Sequence, residues 1–316
     1  MKLATLKDGT RDGQLVVVSR DLHTAVIADA IAPTLQRVIE DWAFHAPQLR
    51  ALYEALNTGR ARRAFGFEPK DCMAPLPRAY RMIAHAAYAT AGVDPARTGA
   101  APMMLAARRG DALLGACDDV LVDEADAGLT CDVGLAAILG DLPPGSAPAR
   151  AADRLHLLML ADIFAAPAGP GRDGGEPLRQ YDRCAFSPVA VTPDEFGAAW
   201  QGVRLTARVD VQLNGRRVEP RGVEAEADRA ADFAQLAAAI ARTQGVAAGT
   251  IVVSATLRGV AGFEAGTEAR AAADAAPVSP RGLETGDRIR VDSLDATGES
   301  VCGVIEHSIV PADDSV

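Results

Sequence analysis

Gly128-Leu-Thr-Cys-Asp-Val-Gly-Leu-Ala-Ala-Ile-Leu139 is a short apolar segment with one carboxylate, Asp132, near its centre. A run of this length and character reads as a buried strand. An acid inside such a strand is costly unless it meets a partner or a cation. The chain therefore poses a local question: does Asp132 hold a metal ion, or is it what remains of a site that did?

Working outward, the second half is rich in strand signals. Val203–Leu213 alternates strictly, apolar at every odd position, and runs into Asn214-Gly215, a strong hairpin signal. Thr250–Ala255 is β-branched, and Asp287–Ser293 pairs with Ser300–Val310 across Asp295-Ala-Thr-Gly298. Leu155–Phe164 is an almost continuous apolar run broken by His156 and Asp162, which fits either a buried strand or a buried helix. Ala149–Arg154 reads as a short helix, and Ala231–Thr243 as an amphipathic one closed by Gly245.

The first half opens with Lys2–Leu6 and Gln14–Ser19, strand-like segments around Asp8-Gly9 and Asp12-Gly13. Two helices follow, Thr34–Trp42 with Pro33 at its start and Pro47–Leu56 ending at Asn57-Thr-Gly59. Ala84–Ala91 carries a weak helical pattern. The prolines of Phe67–Arg78 mark a linker, which divides the chain into domains 1–74 and 75–312 with a tail at 313–316. The fold class expected is α+β and β-rich: a small α/β domain, then a larger domain dominated by strands.

Composition removes several functions. The 316 residues, 49% hydrophobic and 23% charged, suffice for a substantial core. A net charge of −10 argues against nucleic acid or an anionic membrane as partner. There is no signal-peptide pattern and no apolar run long enough to span a bilayer, which points to the cytoplasm. Five cysteines without a Cys-x-x-Cys pair read as reduced thiols rather than a disulfide framework or zinc knuckle. Only Lys2, Lys7 and Lys70 are lysines, so nothing beyond residue 70 can form a Schiff base or act as a neutral amine.

Met1-Lys-Leu-Ala-Thr-Leu-Lys-Asp-Gly-Thr-Arg-Asp-Gly-Gln-Leu-Val-Val-Val-Ser19 and Cys72-Met-Ala-Pro-Leu-Pro-Arg-Ala-Tyr80 resemble the N-terminal domain of bacterial fumarylacetoacetate hydrolase family members. Cys184-Ala-Phe-Ser-Pro-Val-Ala-Val-Thr-Pro-Asp-Glu195 and Val301-Cys-Gly-Val-Ile-Glu306 are similar to that family's β-rich catalytic domain. The resemblance implies a mixed β-roll as the second domain and a homodimer. It also implies Mg²⁺- or Ca²⁺-dependent hydrolysis, decarboxylation or isomerisation of small anionic 2-oxo acids, typically C–C bond cleavage of acylpyruvates in aromatic catabolism. In such chemistry a hard cation held by carboxylates chelates the oxo and carboxylate oxygens, a His–Glu pair activates water, and a lysine holds the charged intermediate.

Placed motif by motif, this chain departs from that pattern. Asp132-Val-Gly134 stands at the family's Glu-x-Glu, and Asp162-Ile163 at its Asn-Asp with the acid one place early, a shift that in a strand points the side chain to the opposite face. The remaining acid position falls near Ala84, the His–Glu pair near Ala91 and Val93, and the lysine at Tyr181. Ser254-Ala-Thr256 stands at the substrate-side Ser-Gly-Thr and keeps the threonine. Candidate metal ligands are thus Asp132 and Asp162, and Thr256 is a candidate substrate contact. The plainer alternatives pair Asp132 with Arg183 or Arg154 and pack Thr256 as an ordinary strand residue. His156 reads as a core histidine, and His85 as a residue near the old cleft. Cys131 and Cys184 read as small core residues, and the acids Asp118, Asp119, Asp123, Glu124 and Asp126 as a solvated loop. Three readings follow: an enzyme with a rearranged site, a non-catalytic paralogue serving as a dimerising or regulatory subunit, or an anion-binding module using Arg179 and Arg183. The residues favour loss or alteration of the family's activity.

Overall fold

The computed structural model describes residues 1–85, 105–122, 129–165, 183–201, 204–205, 208–218, 233–257, 282–295 and 297–312. Ala91, Val93, Arg179, Tyr181 and the acids at 123, 124 and 126 lie outside them. In chain order the strands are β1 (Lys2–Leu6), β2 (Gln14–Val18), β3 (Thr24–Ile27), β4 (Phe65–Gly66), β5 (Met82–His85), β6 (Leu105–Arg108), β7 (Val120–Val122), β8 (Thr130–Leu139) and β9 (Leu155–Ala165). After these come β10 (Arg183–Phe186), β11 (Ala190–Val191), β12 (Trp200–Gln201), β13 (Arg204–Leu205), β14 (Arg208–Leu213), β15 (Arg216–Val218), β16 (Thr250–Leu257), β17 (Arg288–Leu294) and β18 (Ile305–Pro311). The helices are α1 (Leu35–Glu40), α2 (Trp42–Asn57), α3 (Pro148–Ala152) and α4 (Phe233–Ile240).

Among the described residues, one large mixed sheet runs β4-β3-β2-β1-β11-β9-β8-β16-β5-β6, with β10 also on β9. The N-terminal meander joins it through β1, where Lys2 stands opposite Val191 and Leu3 opposite Ala190. The N-terminal meander and the central strands of the chain therefore share one hydrogen-bonded sheet. A second sheet, β15-β14-β17-β18-β7, lies against it. Parallel pairs occur in both, β5 with β16 and β7 with β18.

The large sheet is buried on both faces, which explains why β8 and β9 read as continuous apolar runs rather than alternating ones. One face presents Cys131, Val133, Leu160 and Phe164 to a core shared with Val291 and Ile305 of the second sheet. The other presents Ala136, Ile138, Met159 and Ile163 to a core shared with Leu35 and Leu49 of the two N-terminal helices. The open choice at Leu155–Phe164 resolves to strand, paired with β8 along its length.

Two expectations change. Ala84–Ala91 begins as strand: Met82 through His85 pairs in parallel with Ile251–Ser254 and antiparallel with Leu105–Arg108. Non-local pairing here overrides the helix propensity of alanine. The second helix starts at Trp42, with Pro47 inside it rather than at its head. Its buried face, His45, Leu49, Tyr53 and Leu56, begins before the proline, so packing outweighs the missing N–H. The hairpin expected at Asn214-Gly215 is present, with φ of 52° and 74° as the tight primed turn requires.

His156 is a core residue. It is unpaired at an irregularity where Leu155 and Leu157 flank it opposite Leu139 and Ile138. Its ring stacks on Trp42, centroids 4.5 Å apart and planes within 9°. Burial, with the nearby Arg154 charge, lowers its pKa to about 4, so it is neutral at neutral pH. Gly140 makes room for it, since a Cβ there would lie 2.3 Å from Nε2. Gly140→Ala should therefore destabilise the protein by about 1–3 kcal/mol through overpacking, read as a lower urea midpoint with an unchanged m-value.

Candidate functional site

β8 and β9 carry the two candidate metal ligands, and their register decides whether these meet. Asp132 stands opposite Ile163, and Val133 opposite Asp162. Directly opposed residues of an antiparallel pair share a face, and neighbours along a strand alternate. Asp132 thus shares its face with Gly134 and Ile163, whereas Asp162 points to the other. Ala84 joins the first group, because Ala84 stands opposite Val253 and Val253 opposite Ala136. The three motif positions Asp132, Gly134 and Ile163 therefore lie on one face of one sheet, and Ala84, near which the fourth falls, shares that face.

Asp132 and Asp162, expected together as metal ligands, are brought together only as backbone neighbours. Their carboxylates leave the sheet on opposite sides and cannot share an ion. The physical reason is the one-residue offset of the acid in β9, which reverses its face. Among the described residues, no group of three or more His, Cys, Asp or Glu side chains is placed to hold a metal ion. Mg²⁺ and Ca²⁺ seek several convergent oxygen ligands. Asp132, half-buried on its face, does not supply that set, so the described residues do not fit such an ion.

Asp162 is fully buried between the sheets, and neither carboxylate oxygen has a hydrogen-bond partner. Burial raises its pKa to about 8, so it stands protonated and neutral at neutral pH. Cys131, opposite Phe164 on the same face, has its thiol pushed up by its own burial and then by Asp162. Both are members of the apolar core rather than of an open site.

The remaining candidates are placed by backbone. Thr256 falls at an irregularity of β16, between Ala255 opposite Gly134 and Leu257 opposite Val133. Ser254, opposite Leu135, is buried on the Asp162 face, and His85 ends β5 beside it. Arg183 stands opposite Phe164 and so leaves the sheet on the side away from Asp132. Arg154 lies beyond the far end of β9, eight residues before Asp162 and on the order of 25 Å along an extended chain.

His307 is among the buried polar residues that the sequence pattern did not single out. It is fully buried; its Nδ1–H donates to the Asp118 carbonyl at 2.7 Å while Nε2 has no partner. Its ring meets Phe164 edge-on, centroids 5.7 Å apart, two residues along β9 from Asp162. Burial lowers its pKa, so it too is neutral. The signal was the alternation Ile305-x-His307-x-Ile309, which directs the histidine inward with its neighbours.

Asp162 carries a linkage prediction. The unfolded chain loses this proton near pH 4, whereas the folded chain keeps it up to about pH 8. In that window the folded state binds more protons, so stability falls as pH rises, by roughly 1 kcal/mol per pH unit. Asp162→Asn removes the group, and urea unfolding between pH 5 and 8 should show a flatter profile and a gain over the parent that is largest at pH 8.

The model for the fumarylacetoacetase N-terminal domain 2 matches residues 1–78, and that for the fumarylacetoacetate hydrolase C-terminal domain matches residues 77–307. No curated protein matches the chain. Among solved structures, maleylpyruvate hydrolase from Sphingobium sp. SYK-6, in complex with manganese(II) and pyruvate, is 17% identical with a TM-score of 0.65, over 99% of this chain and 100% of that one. A probable 2-hydroxyhepta-2,4-diene-1,7-dioate isomerase from Mycobacterium abscessus is 17% identical with a TM-score of 0.63, over the same shares. Fumarylacetoacetate hydrolase from Exiguobacterium antarcticum is 18% identical with a TM-score of 0.62, again over 99% and 100%. At these identities the likeness is one of fold. With a C-terminal model spanning most of its length and the β-rich two-sheet architecture to match, the chain belongs to the fumarylacetoacetate hydrolase family.

Proposed function

We propose that this chain is a non-catalytic member of its family, one that keeps the scaffold of a metal-dependent C–C bond hydrolase without the chemistry. The observation that carries this reading is the face holding Ala84, Asp132, Gly134 and Ile163, where one carboxylate remains of the four that the resemblance calls for. A hard cation there would lack most of its charge neutralisation, and a 2-oxo acid would lack the cation that polarises it. The single Asp132 cannot replace both. No lysine follows Lys70 to stabilise a developing enolate in its place.

On this reading the protein acts through binding, as a homodimer-forming or regulatory subunit. The manganese and pyruvate of the Sphingobium structure describe that protein's site, whereas the described residues of the present chain hold one carboxylate, Asp132, on the candidate face. No helix among the described residues is long and apolar enough to cross a membrane.

The deciding experiment titrates the full chain with Mn²⁺ and Mg²⁺ by calorimetry and assays cleavage of an acylpyruvate at saturating metal. The expected outcome is no heat of binding up to millimolar metal and no turnover above the buffer rate. Tight Mn²⁺ binding together with cleavage, both abolished by Asp132→Ala, overturns the reading.

A further inference from the structure

Two cysteines outside the candidate site lie on segments that pack together where the N-terminal meander passes into the larger sheet. Cys72 follows the turn Pro69–Asp71, bridges to Leu6 at the end of β1, and is buried in the core between the sheets. Cys117 comes from the loop between β6 and β7 and is half-buried against the same core. The backbones that carry them are pressed together. A Cβ on Gly115 would stand 2.7 Å from the Cys72 carbonyl oxygen and 3.1 Å from the Met73 carbonyl carbon. From the outside Lys7 laces the same two segments, its Nζ donating to the Lys70 carbonyl at 3.2 Å and to Asp118 Oδ1 at 2.8 Å. Both thiols are free.

We propose that Cys72 and Cys117 are a disulfide-forming pair, a redox-controlled cross-link between the N-terminal meander and the larger sandwich. The oxidant is a small-molecule disulfide of the glutathione class. The Cys117 thiolate, the more exposed of the two, attacks one sulfur of that disulfide, forming a mixed disulfide and releasing one glutathione thiolate. The Cys72 thiolate then attacks Sγ of Cys117, closing the protein bond and releasing the second glutathione thiolate. The two thiol protons end on the released glutathiones, and the two electrons reduce the oxidant.

The charges around the pair set its rate. Burial raises Cys72 to about 12, with Asp71 and Cys117 adding to the effect and Lys7 opposing it. Burial also raises Cys117, with Glu306 and Asp118 adding and Lys7 again opposing. Thiolate is therefore scarce at neutral pH, and closure quickens by about tenfold per pH unit below the thiol pKa. The pair is a slow latch rather than a fast sensor.

The test incubates the full chain with oxidised glutathione at pH 7 and pH 9, then digests it without reduction for mass spectrometry. The expected result is one linked peptide joining Cys72 to Cys117, formed faster at pH 9, lost on treatment with dithiothreitol and absent from Cys117→Ser. Cys302→Ser, which removes a different buried thiol, should leave the linked peptide in place. The proposal is overturned if no such peptide forms at pH 9, if Cys117 accumulates only as its glutathione adduct, or if either cysteine links elsewhere.

Discussion

The pairing of β8 with β9 is the constraint on which the rest of the molecule depends. The two strands hydrogen-bond along their length at the middle of the large sheet. β9 also carries β10 and β11, and through β11 it reaches the N-terminal meander. Each face of the pair supplies one core, so its register is fixed from both sides. A slip of one residue would move Phe164 and Leu160 into the helix-side core and Ile163 and Met159 into the sandwich. Such a slip exchanges every buried side chain at once, which is why the register tolerates no ambiguity.

The same parity governs the chemistry. Moving an acid by one position in β9 does more than displace it: it transfers the carboxylate from the candidate face to a closed apolar core. There neither oxygen of Asp162 has a partner, and an ion without partners in such a place costs more than holding a proton. His307, facing Phe164 from the second sheet, obeys the same rule with the opposite sign and loses its proton. The interior of the sandwich thus contains an acid and a base that are both neutral at neutral pH. Metal coordination requires the reverse arrangement, several ionised oxygens converging on one point.

Much of the fold was legible because its signals are local. The hairpin at Asn214-Gly215, the turns between the first strands and the β-branched Thr250–Ala255 each follow from a short-range rule, and each appears. What was illegible depends on partners distant in sequence. Leu155–Phe164 could not be assigned because a strand buried on both faces and a buried helix leave the same continuous apolar trace. Met82–His85 becomes strand only because β16, far along the chain, lies beside it. Pro47 is drawn inside α2 by a buried face that begins upstream. At the candidate site, the motif comparison singled out Asp132, Gly134 and Ile163, and the register puts the three on one face. The one-place offset of Asp162 pointed to the opposite face, and the register of β8 and β9 shows it there.

On the proposed non-catalytic reading, the apolar residues on that face also account for how the scaffold would persist without an ion. Three or four carboxylates gathered on adjacent strands repel one another strongly once no cation neutralises them, and each would have to take up a proton or force the strands apart. Losing one ligand of such a cluster therefore leaves the others as a burden on the fold. Ala84 and Ile163 instead join the helix-side core, and Gly134 sits buried in the strand with no side chain to place. Asp132 can remain because it is only half-buried and water still reaches it. A face that is mostly apolar with one tolerated acid is a stable end state for this sheet, whereas a half-emptied metal site is not. Stability alone thus favours finding one carboxylate here over finding two or three.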